Sequence, residues 1–310
     1  MSTLICGSFA FDTIMVFPDS FKNHILPDKV HILNVCFLVP EMRREYGGCA
    51  GNIAYNLHLL GDKPIPMGTV GRDFDGYFRY LDELNIDHRF VTEIKDNYTA
   101  QAFITTDHDD NQIIAFHPGA MNEAHRNKVA DAGDIKLAII APDGKQGMLD
   151  HTRQCHEAGI PFIFDPGQQL PLFSETELKT ILQQCRYLAT NDYESEVLMS
   201  KLDMDIPAVC KEVEAFVITR GGEGSVIHTR EQSYDIPVAS TRATVDPTGC
   251  GDAFRAGILY GITQDMDWQT TGRIASLLGA IKIEHHGTQN HRFNLDEFKD
   301  RFANNFGYGF

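Results

Sequence analysis

Val245-Asp246-Pro247-Thr248-Gly249-Cys250-Gly251-Asp252-Ala253-Phe254 is the stretch that decides the reading of this chain. Two glycines bracket a small residue where an apolar, helix-like segment (251–262) begins. Backbone N–H groups left free at a helix N-terminus bind anions, and glycine lets a phosphate approach the backbone closely. Asp252 then falls in the first turn, beside the bound anion. A carboxylate there is unfavourable unless it takes a proton, which suits a general base for a hydroxyl attacking phosphorus. The same Asp can equally cap the helix and satisfy its orphan amides, and the stretch alone leaves both readings open.

Working outward, short apolar strands alternate with helical segments. Strands are expected at 3–9, 65–70, 136–141, 161–165, 187–190, 215–219 and 225–228. Helices are expected at 52–60, 74–84, 148–158, 176–184, 193–201, 251–262, 268–285 and 295–304. This alternation predicts a doubly wound, mainly parallel α/β sheet with helices on both faces. Residues 11–45 and 97–118 break it with β-like pieces (30–39, 101–106, 112–116) and a polar turn at 107–111. They read as a small β-sheet without covering helices, either a substrate lid or an edge hairpin. The expected organisation is a single domain over 1–310 carrying that lid.

Composition narrows the function. The 310 residues hold 27 Lys+Arg against 43 Asp+Glu, a net charge of −16. Such a chain repels nucleic acid and anionic membranes, and Arg43-Arg44 is its longest basic run. About 74% of the unfolded surface can be buried at this length, so no staples are needed. No stretch approaches the ~18 apolar residues of a membrane span. The N-terminus lacks a basic n-region, and Asp12 interrupts its apolar run. Seven scattered cysteines with no C-x-x-C pattern suit free thiols and a cytoplasmic location. A P-loop, a strict G-x-G-x-x-G and a G-x-S-x-G elbow are all absent.

The decisive stretch is similar to the second signature of the ribokinase/PfkB family of small-molecule kinases, Asp-x-Thr-Gly-small-Gly-Asp-x-Phe, with Cys250 where the family usually has Ala. Gly47-Gly48-Cys49-Ala50-Gly51-Asn52 resembles the first signature, with Gly61 closing the following helix. Asn191-Asp192-Tyr193-Glu194, Thr219-Arg220-Gly221-Gly222-Glu223-Gly224 and Gly7-Ser8-Phe9-Ala10-Phe11-Asp12 match further family segments in order. The resemblance thus spans nearly the whole chain. Glu45–Asn52, Ala115–Met121 and Phe164–Gln168 look most like the bacterial adenosine kinase/nucleoside kinase branch.

The resemblance implies ATP-dependent phosphorylation of a ribonucleoside 5′-hydroxyl, adenosine first, with inosine and guanosine as further substrates. A free-sugar kinase of the ribokinase type is the alternative, and a non-catalytic metabolite sensor a third reading. Asp252 becomes the base, and Gly249, Cys250 and Gly251 the anion hole. Asp12, Gly48 and Asn52 become ribose contacts, although Asp12 also suits a turn and Asn52 a helix cap. Gln101, Phe103 and His117 join them as contacts from the lid. Its aromatics (Phe9, Phe11, Phe37, Phe103, Phe116) suit either base stacking or a small core of the lid's own. Asn191, Thr219, Gly221 and Gly224 become nucleotide contacts. Glu194 would hold Mg²⁺ through water, though Asn-x-x-Glu is also a plain capping pattern. Asp246 and Thr248 become neighbours of a monovalent cation, with K⁺ the candidate. The chain is expected to act as a monomer or homodimer.

Overall fold

A computed structural model describes residues 2–25, 31–32, 34–109 and 111–310. Thirteen strands form two sheets among these residues. The strands are β1 (Ser2–Cys6), β2 (Ala10–Val16), β3 (Glu41–Gly47), β4 (Pro64–Gly71), β5 (Phe90–Ile94), β6 (Ala100–Thr106), β7 (Gln112–His117), β8 (Ile135–Ile140), β9 (Phe162–Phe164), β10 (Tyr187–Asn191), β11 (Ala215–Thr219), β12 (Ser225–Thr229) and β13 (Ser233–Ile236). The large sheet has the order β13-β12-β11-β10-β9-β8-β1-β4-β5. It is parallel from β5 to β11, after which β12 pairs antiparallel with β11 and the edge strand β13 pairs antiparallel with β12. The α/β fold with a mainly parallel sheet is therefore as expected, with a second sheet of order β3-β2-β6-β7 beside it.

Strand alternation builds two cores, one on each face. Ile5, Leu137, Ile139, Ala215 and Val217 face one cluster; Leu4, Cys6, Ala138, Ile140, Phe216 and Ile218 face the other. Both faces are covered, so these strands read as near-continuous apolar runs. The first cluster is packed by α1 (Cys49–Leu59), α2 (Asp75–Glu83), α7 (Cys250–Thr263), α8 (Trp268–Ile283) and α9 (Leu295–Phe306). The second is packed by α3 (Lys145–Glu157), α4 (Glu175–Gln184), α5 (Asp192–Leu202) and α6 (Ile206–Glu212). Among the described residues no helix is long and apolar enough to cross a membrane. All seven cysteines are free thiols.

Order in the sheet reverses at β1, which has β8 on one side and β4 on the other. Ligands of open α/β sheets bind at such a switch point, outside the carboxyl ends of the strands. The chain leaves β1 there and crosses into the second sheet through β2. Phe9 and Phe11 are not lid aromatics facing a ligand: they sit in the main core against Phe74 and Tyr77.

Three expectations need correction. No strand forms among the described residues of the apolar run 30–39. Residues 34–39 have no regular structure, and Val30 and Leu33 lie outside the described residues, as does Asp110 of the polar turn. The strand is the charged β3 that follows. Phe37 packs on Phe17 and Phe21, an aromatic cluster of its own. Helix α1 starts three residues earlier than expected, with Gly48 as its N-cap. Asn52 therefore lies inside the first turn and caps nothing.

Candidate active site

The second sheet presents two faces with different chemistry. Asp12 is directly opposite Glu45 on one neighbour and Ala102 on the other, and Ala102 is opposite Phe116. Two residues along, Ile14 is opposite Arg43 and Ile104, and Ile104 is opposite Ile114, so parity puts these on Asp12's own face. Counting by two, Asp12, Ile14, Arg43, Glu45, Ala102, Ile104, Ile114 and Phe116 share one face. Gln101, Phe103 and His117 fall on the opposite face, beside Phe11 and Thr13. Gln101 is held there by Thr13, its Nε2 donating to Oγ1 at 2.6 Å. The three lid contacts expected from sequence are thus off Asp12's face by one residue, and the side chains sharing it are Ala102, Ile104, Ile114 and Phe116.

Asp12 itself receives no protein hydrogen bond among the described residues. Burial, with the charges of Asp246 and Glu45, pushes its carboxyl up to about 6. Gly47 and Gly48 bring backbone against it. A Cβ on Gly47 would lie 3.0 Å from Asp12 Oδ2, and Gly48, at φ +86°, has Phe9, Ala10 and Ser8 backbone 2.5 Å from where its Cβ would be.

Asp252 is in the first turn of α7, and Gly249 is that helix's N-cap in the left-handed region. Ala253 N–H returns to Gly249 O, and Cys250 N–H donates to Pro247 O at 3.1 Å. Of the three amides expected to form an anion hole, the one on Cys250 is thus already engaged. Those of Gly249 and Gly251 have no protein acceptor among the described residues. Burial raises the Cys250 thiol to about 11, which removes it as a nucleophile.

Asn52 Nδ2 donates to Asp252 Oδ2 at 2.7 Å across 200 residues of chain. Behind it, Gln289 Nε2 donates to Asn52 Oδ1 at 2.9 Å and contacts Tyr77 Oη, whose hydroxyl donates to Gly47 O. Asn52 and Gln289 are almost wholly buried. This chain of polar groups links the base candidate to the backbone next to Asp12's glycines. Sequence reasoning missed Gln289 and Tyr77; nothing local marks a buried Gln in a C-terminal loop. Burial is the main cause that lifts Asp252 to about 6, with Asp165 adding to it, while Asn52 and Arg255 oppose it.

Arg255, one turn further along α7, was also missed. Its Nε donates to Asp165 Oδ2 at 3.0 Å, and both residues are 5% exposed. Breaking such a buried pair leaves an uncompensated charge. Arg255→Met is expected to lower unfolding free energy by about 3–5 kcal/mol, read from urea denaturation. The same change removes a cation facing Asp252, so the acid limb of turnover should move above its wild-type position.

The Asn191–Glu194 pair forms a capping box on α5: Glu194 N–H donates to Asn191 Oδ1 (2.7 Å) and Asn191 N–H to Glu194 Oε2 (2.9 Å). The second carboxylate oxygen of Glu194 has no protein donor among the described residues. Thr219, Gly221, Gly222 and Gly224 line one wall of a cavity of about 330 Å³, whose other walls are Val238, Pro247, Cys250, Gly251, Phe254, Ala280 and Ile283. Gly221 and Gly224 have φ of +53° and +88°. This cavity opens on the N-terminus of α7 and is mostly apolar, as an aromatic base with a phosphate tail requires. Asp246 points elsewhere: its Oδ1 accepts from Thr248 N–H and its Oδ2 from Gly287 N–H, each at 2.9 Å. Arg44 lies over Phe11 and pairs with Asp73, and Arg43 pairs with Glu45, so both arginines are engaged.

Residues 22–293 match the model of the pfkB family carbohydrate kinases. A nucleoside kinase of Methanothermobacter thermautotrophicus is 32% identical over 313 residues, 98% of this chain and 96% of that protein. Among solved structures, the nucleoside kinase of Burkholderia thailandensis in complex with inosine superposes with a TM-score of 0.90 at 49% identity, covering 99% of each chain. The same enzyme in complex with ADP-inosine gives 0.88 at 50% identity, over 99% of this chain and 97% of that one. With this extent of match, the chain belongs to the pfkB family of carbohydrate kinases.

Proposed function

We propose that this chain transfers the γ-phosphoryl group of ATP to the 5′-hydroxyl of a ribonucleoside, with adenosine, inosine and guanosine as the substrates to test. The observation that carries the reading is Asp12: a half-buried carboxylate with no protein donor among the described residues, on a face whose other members are mostly apolar. Vicinal ribose hydroxyls supply the missing donors, and Ala102, Ile104, Ile114 and Phe116 suit a purine more than a small free sugar. The engaged state of Arg43 and Arg44 speaks against a substrate carrying its own phosphate. The Burkholderia enzyme that binds inosine and ADP-inosine is the relative that agrees with this reading.

In this reading Asp252 accepts the 5′-hydroxyl proton, and Asn52 holds the carboxylate in place. The Gly249 and Gly251 amides receive charge from the transferring group. The second sheet acts as a lid, and the cavity beside Thr219–Gly224 takes the nucleotide. Mg²⁺ fits beside Glu194, whose free carboxylate oxygen can reach an ion through water. When bound, that ion would neutralise charge on the β- and γ-phosphates. The proposed site needs one chain, so a monomer and a homodimer both accommodate it, and a cytoplasmic location suits the free thiols.

ADP release measured over a panel of nucleosides and free sugars tests the reading. Turnover with adenosine or inosine well above that with ribose or fructose is expected. A preference for ribose would replace it with a ribokinase-type activity, and nucleoside binding without ADP release would replace it with a sensor.

A further inference from the structure

The family resemblance puts a potassium ion near Asp246 and Thr248, and a potassium site needs carbonyl oxygens that converge on open space. Here the carbonyls converge on a side chain. Lys282 Nζ donates to Asp246 O at 2.6 Å and to His285 O at 3.2 Å. Both oxygens of the Asp246 carboxylate are taken as well, by Thr248 and Gly287 N–H. A potassium ion placed on these groups would meet an ammonium already among them. The residues present therefore do not fit the ion.

Lys282 is unusual in its own right. It is 0% exposed, in the last turn of α8, where apolar residues would be cheaper. Fully buried lysines are rare and are retained with partners. One partner, Asp246 O, belongs to the loop that ends in the glycines at the start of α7, and the other, His285 O, lies just past the end of α8. Val245 and Asp246 N–H both return to Ile283 O, at 2.8 and 3.1 Å, so the loop is tied to the end of α8 through N–H and carbonyl alike. Three residues after Asp246 the chain reaches Gly249. Burial lowers the Lys282 pKa, with the Asp246 charge opposing it, and the Lys282 charge also acts on Cys250 at the α7 N-terminus.

We propose that the Lys282 ammonium is a tethered monovalent cation: it fixes the Asp246–Gly249 loop so that the α7 amides face the phosphoryl group, and the enzyme needs no added potassium. This makes Lys282 a positioning residue, acting through the loop and touching no substrate. The proposal rests on the kinase reading, so one arm of its test does not use turnover.

In the first arm, wild-type kcat is compared in potassium chloride and in tetramethylammonium chloride at equal ionic strength. Agreement within about threefold is expected, whereas a larger gain in potassium overturns the proposal. In the second, Lys282→Met is expected to lower kcat by about tenfold or more with nucleoside KM little changed, as for a misplaced catalytic loop. A kcat within about threefold of wild type overturns it; Lys282→Gln, which keeps a donor, serves if the Met variant does not fold. In the third, the wild-type melting temperature is compared in the two salts. A bound ion stabilises the native state, so equal midpoints are expected and a potassium-specific rise overturns the proposal. A chain that releases no ADP with any acceptor would sink the kinase reading, and the melting comparison would then decide Lys282 alone.

Discussion

Asp252→Asn is expected to lower kcat about 10²–10⁴-fold, the usual worth of a general base, with nucleoside KM little changed. The substitution is close to isosteric, and the amide oxygen can still accept from Asn52 Nδ2, which now holds the carboxylate at 2.7 Å. Geometry is thus kept while the proton acceptor is lost. Retention of more than about a tenth of wild-type kcat would refute the base assignment, since the base term is at least tenfold larger. The pH profile adds a second readout. Asp252 must be ionised to act, and its pKa is raised to about 6. Turnover should therefore fall as pH drops through about 6, and the Asn variant should lack that limb in kcat.

Asp12→Ala is expected to act on the other kinetic constant. Two charge-assisted hydrogen bonds to ribose are worth about 1.5–3 kcal/mol each, partly replaced by water in the variant. Nucleoside KM should rise about 100-fold or more, while kcat at saturation falls much less. The variant should not melt below wild type at pH 8. The folded pKa of Asp12 is raised from 3.8 to about 6. Its ionisation therefore weakens the fold as pH rises through that window, and alanine removes the loss. An unchanged KM would remove Asp12 from the ribose contacts. Because Asp12 and Asp252 are both raised to about 6, the limb in kcat/KM belongs to both. The limb in kcat alone is the one that should survive in Asp12→Ala.

Local patterns carried much of this account, and the limits have physical causes. Gly249–Asp252 was legible as a helix start because its glycines and carboxylate fall within a few consecutive residues. Asn52 was legible as a polar residue close to glycines, but its side-chain partners are Asp252 and Gln289, 200 and 237 residues away. Gln101, Phe103 and His117 lie on the other sheet face from Asp12, one residue out of step with it. Strand residues one position apart face opposite ways, and the face is set by the Asp12–Ala102 register, which no local pattern states. The run 30–39 has apolar residues suited to a strand, whereas β3, with Glu41, Arg43, Arg44 and Glu45, is an edge strand and carries little apolar signal. Lys282 was hidden for the converse reason: within Ala280-Ile281-Lys282-Ile283 a lysine reads as the exposed face of a helix, and its burial depends on carbonyls from two loops.

The central claim is phosphorylation of a nucleoside at its primary hydroxyl, and the product states it most directly. Proton-coupled ³¹P NMR of a reaction with ATP, Mg²⁺ and inosine or adenosine separates the cases. A new phosphomonoester split into a triplet by the two 5′ protons, appearing in step with ADP, is the predicted result. A doublet from a secondary ribose position, or ADP formed with inorganic phosphate and no nucleotide product, would contradict it.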